Sequence, residues 1–203
     1  MAAKSKSRGR SRKDSPNGTE LLVLELQSIY SAESQLSRVL PRLIQAASSE
    51  PLRSMLERRL DDGARLVKEL ESAFEKMDES PGRKKNVAAE GLISDAREHV
   101  QEISEGPALD AVLIAAIQKT EHYCIAAWGT ARSLAQATGQ RDVVQAMERA
   151  LREGKALDER LTELAEKDIT PALLAEEPDE RIEEGDGQRR SRSDRGSERR
   201  TSN

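Results

Sequence analysis

Four acidic residues, Glu33, Asp62, Glu121 and Glu153, stand on or beside stretches of helical apolar periodicity. Glu121 is the plainest case. It lies in Ile117 to Trp128, IQKTEHYCIAAW, an otherwise apolar segment in which an ionisable group is costly unless paired or bound to a metal. Glu33 falls between Tyr30 and Leu36 on one apolar stripe, whereas Asp62, between Leu60 and Leu66, and Glu153 sit at stripe edges, where solvated acids are common. Four carboxylates brought close together repel unless they are protonated or share cations. Two iron or manganese ions, each bridged by carboxylates from several helices, are one chemistry this set predicts. His122 follows Glu121 by about 100° around the helix, which suits a supporting residue better than a ligand.

An internal repeat supports reading the four as two equivalent pairs. Glu57 to Leu70, ERRLDDGARLVKEL, matches Glu148 to Leu161, ERALREGKALDERL, so that Asp62 falls on Glu153 and Gly63 on Gly154. A weaker match sets Glu33 on Glu121. Two helical hairpins related by an approximate two-fold would bring the pairs together.

Composition and periodicity supply the helices that must position them. Aromatics are 2% of the 203 residues while Ala, Leu, Glu, Arg and Gln dominate the middle, favouring an all-α fold. The first helix runs from Thr19, capped by Thr19 itself or Asn17, with Pro41 predicted to bend or break it. A second extends from about Leu52 to Met77. After the loop DESPGRKKN, a shorter amphipathic helix from about Val87 to Glu102 suits a crossover connection. The third long helix spans Ala108 to about Thr138, and the fourth runs from Arg141 to about Lys167, periodicity ending at Thr170-Pro171. The expected layout is one domain over residues 19–170.

The ends differ in kind. Residues 1–18 carry six basic groups against Asp14; Glu176 to Asp186 holds seven acids against Arg181; Gln188 to Asn203 holds six arginines against two acids. Segments so charged and so poor in apolar residues are expected to be disordered tails, 1–18 and 171–203, the basic ones able to contact nucleic acid or another polyanion weakly. A lone cysteine, Cys124, offers no internal disulfide, and no apolar run nears the roughly 20 residues that cross a bilayer. No signal peptide is read in the first residues, so the expected location is cytoplasmic, away from membranes.

The runs LQSIYSAESQL, QKTEHYCIAAWGT and LTELAE resemble the YciE/YciF family, bacterial ferritin-like proteins associated with stress responses, over roughly Leu21 to Glu166. The resemblance implies a ferritin-like four-helix bundle, a homodimer, and a di-metal centre carried by Glu33, Asp62, Glu121 and Glu153, with His122 in the family's EHY run. Three departures stand near that centre: Arg59 where the family has histidine, Cys124 where it has a second glutamate, and Gly154 where it has a second acid. A buried Arg59 could take the place of a cation by pairing with Glu33, Asp62 or Glu121. Two functions follow as expectations. One is iron or peroxide handling at a di-iron or di-manganese centre; the other is a non-catalytic structural or interaction bundle that has lost it. Hydrolase or transferase chemistry lacks its materials, since there is no Gly-rich phosphate loop and only one cysteine and two histidines.

Overall fold

The structure, a computed structural model, describes residues 16–176, whose regular elements are all helices. Its order is α1 (Gly18–Ala46), α2 (Glu50–Lys76), α3 (Val87–Glu102), α4 (Pro107–Ala137) and α5 (Arg141–Leu164). A π-helical turn (Ala165–Ile169) then leads into α6 (Thr170–Glu176). Asn17 caps α1 through a capping box with Glu20, satisfying two otherwise orphaned backbone donors. Ser49 caps α2, with Pro51 in its first turn, where a missing N–H costs nothing.

Of the bend or break expected at Pro41, the break does not occur: α1 continues through it; its exposed ring removes one backbone hydrogen bond, and the buried Leu40 and Leu43 on either side hold the helix against the core. Helical structure also outlasts Thr170-Pro171. The wide turn at Ala165–Ile169 buries Ile169, and Pro171 falls in the first turn of α6, where it is tolerated. The expected tails fall largely outside the described residues.

Long helices α1 and α4 run antiparallel: Gly18 lies beside Thr138, and at the other end the Asp110 carboxylate accepts from the backbone N–H of Ser48 and Ser49 at 2.8 and 2.9 Å. With α1–α2 and α4–α5 as hairpins, α2 and α4 are parallel, and α3 is the crossover that allows it. The core forms two apolar clusters stacked along the bundle. One contains Leu36, Leu40, Leu52, Leu56, Leu113 and Leu161, and the other Leu26, Ile29, Leu66, Phe74, Trp128 and Met147. Full burial of each such side chain is worth about 1.5–3 kcal/mol. Between the clusters lies a polar layer.

Candidate functional site

The layer is set by the seam that α2 turns inward: Leu52, Leu56, Arg59, Gly63, Leu66 and Leu70, at alternating four- and three-residue steps. A cation therefore sits where the heptad asks for an apolar residue. Arg59 is 4% exposed, Glu33 on α1 1% and Glu121 on α4 0%. The guanidinium grips Glu33 with both terminal nitrogens, Nη1 to Oε2 and Nη2 to Oε1, each 3.0 Å, and its Nε donates to Glu121 Oε1. Its Cζ lies 5.7 Å from the Trp128 ring centroid. Flat fork, two carboxylates and aromatic wall make a receptor for guanidinium.

Burial alone would pull the Arg59 pKa down, but Glu121 and Glu33 together hold it well above the usual range. Glu121 goes the other way: burial outweighs the favourable field of Arg59 and raises its carboxyl pKa, with Glu33 and Asp158 adding to the rise. One oxygen, Oε2, has no hydrogen-bond partner. Its folded state therefore keeps a proton that the unfolded chain releases, so this carboxyl's contribution to stability falls as pH rises from the ordinary carboxylate range through the raised one. Glu121→Gln should flatten that segment of the stability profile. Urea unfolding at a series of pH values checks it, and an unchanged slope in the variant would contradict it.

Glycines make room for the layer. A Cβ on Gly63 would lie 2.8 Å from Arg59 Nη1 and 3.0 Å from Glu33 Oε2; one on Gly154 would lie 2.6 Å from Trp128 Cζ3 and 3.1 Å from Glu121 Oε2. The aligned glycines of the sequence repeat thus each face the aligned glutamate, Gly63 with Glu33 and Gly154 with Glu121. That is the approximate two-fold in three dimensions. The same alignment sets Arg59 on Ala150, so the arginine has no counterpart, and the layer carries two acids against one base.

Asp62 and Glu153 lie to the side, where α2 meets α5. Arg65 bridges them, its Nη2 2.8 Å from Asp62 and 2.7 Å from Glu153, with Arg58 4.0 Å from Asp62. His122 is 69% exposed in its side chain and reaches Asp158 at 3.2 Å. Cys124 is buried, which pushes its thiol pKa well above the usual value and leaves it a small core residue. The four carboxylates therefore meet as two arginine-bridged pairs rather than around one point. Among the described residues, no three His, Cys, Asp or Glu side chains are grouped to hold a metal ion. As ligands for iron or manganese the side chains so placed do not fit: Arg59 fills the space between Glu33 and Glu121 and takes three of their four oxygens.

Sequence reasoning named Arg59 as a stand-in cation but missed Arg65, whose position three residues after Asp62 and bridge to Glu153 become visible only when α2 and α5 lie side by side. Asp110 was missed as well, although an acid on an apolar stripe in a helix's first turn was a usable signal.

A four-helix bundle with a crossover helix and a central carboxylate layer places the chain in the ferritin-like class. The comparisons specify it further. Residues 17–174 match the family described as "Domain of unknown function (DUF892)". Protein YciF of Escherichia coli (strain K12) is 38% identical over 141 residues, 69% of this chain and 85% of that protein. The solved structure of the E. coli stress protein YciF aligns with TM-score 0.72 at 34% identity, covering 77% of this chain and 99% of that one. YcfI from Rhodopseudomonas palustris, proposed to be a structural protein, gives 0.69 at 33% identity, covering 74% and 96%. A Xanthomonas campestris pv. campestris protein at 20% identity and TM-score 0.63, covering 80% and 100%, shares the fold. The chain belongs to the YciE/YciF family.

Proposed function

We propose that this chain is a stress-response member of its family that acts as a homodimeric structural or interaction bundle, with a fixed arginine in place of a catalytic metal centre. One observation carries the reading: the Arg59 guanidinium sits between Glu33 and Glu121 and holds both. An internal cation neutralises buried carboxylates without the redox or Lewis-acid chemistry of an ion. Two relatives support it in kind, one described as a stress protein and another proposed to be structural. On this reading no helix needs a membrane, and among the described residues none is long and apolar enough to cross one. The basic ends, where polyanion contact is expected, lie largely outside the described residues.

The test is metal content after aerobic purification, together with thermal melting before and after chelation. Iron and manganese at background and an unchanged melting temperature are expected. Stoichiometric metal whose removal lowers the melting temperature would overturn the reading.

A further inference from the structure

The two-fold shows where the polar layer is incomplete. Arg59 on α2 holds Glu33 with both terminal nitrogens, and the repeat sets Ala150 of α5 in the matching place for Glu121. The second hairpin therefore brings no guanidinium to its own glutamate. Glu121 is 0% exposed, and Arg59 Nε occupies only its Oε1. The other oxygen, Oε2, has no hydrogen-bond partner among the described residues. A buried polar atom left so is expensive, and folded proteins nearly always satisfy it with a protein group or with ordered water.

Space lies on the same side. Between α2 and α5 a cavity offers about 20 Å³ to the centre of a water molecule, with Glu121, Trp128, Ala150, Gly154 and Leu157 in its wall. Oε2 is aimed into it, since a Cβ on Gly154 would stand only 3.1 Å from that oxygen. Roughly 10–15 Å³ of such volume holds one water, so the cavity has room for one and none for an organic ligand. A buried water also needs further polar partners. Nearer the surface the wall carries Asp62 and Glu153, with Arg65 bridging them. The cavity thus has a buried carboxyl oxygen at its floor and charged groups at its mouth. A metal ion suits it poorly, because no three His, Cys, Asp or Glu side chains among the described residues are grouped around one point.

We infer that this cavity is a structural water site: one water molecule, hydrogen-bonded to Glu121 Oε2, stands where the two-fold would put a second guanidinium. The inference rests on the arginine-centred reading above and completes its polar layer. High-resolution crystal structures of the natural chain, Glu121→Gln and Glu121→Leu test it. In the natural chain a single water peak about 2.7–3.2 Å from Oε2 is expected. Glutamine keeps a polar atom at that place and should keep the peak. Leucine should lose it, and it leaves Arg59 and Glu33 as a neutral pair, so the layer is still balanced. An empty cavity in the natural chain, an Oε2 bonded to a protein donor, a peak absent from Glu121→Gln or a peak that survives Glu121→Leu overturns the inference. Should the leucine variant not fold, the natural chain and Glu121→Gln decide alone. A peak with the anomalous scattering of a metal overturns both the water and the arginine-centred reading. An empty cavity with metal at background overturns the water alone.

Discussion

Arg59→Met is expected to destabilise the protein by roughly 3–5 kcal/mol, because it removes the base from a buried pair and leaves Glu33 and Glu121 uncompensated. Methionine matches the arginine stem in length, so lost packing accounts for little of the effect. The complementary arm separates charge from shape: with Glu33→Leu and Glu121→Leu added, the triple variant should recover most of the loss or exceed the natural stability, since an apolar layer needs no counter-charge. Denaturant unfolding measures all three chains. A single variant within about 1 kcal/mol of the natural chain would mean that the guanidinium does not neutralise this layer.

Gly154→Ala carries the second large effect, and its sign is decided by space rather than helix propensity. Alanine in mid-helix should gain about 1 kcal/mol over glycine. The added Cβ, however, would stand 2.6 Å from the buried Trp128 ring, far inside contact distance, and overpacking of this kind costs about 1–3 kcal/mol. A net loss of up to about 2 kcal/mol is expected. Trp128 is the single tryptophan, so its fluorescence should report the displaced ring directly. The control is Gly91→Ala on α3, whose Cβ would meet nothing within 4 Å and which should therefore stabilise by about 0.5–1 kcal/mol. If both variants stabilise, the crowding beside Trp128 is not felt.

Much of the architecture was legible in the sequence because each long helix repeats apolar residues at helical steps and is closed by recognisable signals, Asn17, Ser49-Pro51 and Gly139 among them. Gly139 takes a φ of +74°, the left-handed turn that a helix end favours glycine for. The crossover helix matched its expected bounds for the same reason. Register was harder. The second helix reads as one broad apolar stripe through Met55, Leu56, Leu60, Leu66, Val67, Leu70 and Phe74, with Arg59 near its edge. The structure turns inward the side of it that also carries Arg59 and Gly63, because Glu33 and Glu121 supply the counter-charges, which no property of α2 alone reveals. Asp62 then turns outward to Arg65. Position on a helix was readable; partnership across helices was not.

The unequal two-fold has a consequence for how the halves depend on each other. Two copies of the α1–α2 hairpin, paired about that axis, would bury two guanidiniums and two carboxylates, a neutral set. Two copies of the α4–α5 hairpin, with Ala150 where Arg59 stands, would bury two carboxylates and no base. The first hairpin is therefore a donor of charge and the second a recipient. A duplicated first hairpin has the electrostatics to stand alone, whereas the second can be buried only in the company of the first.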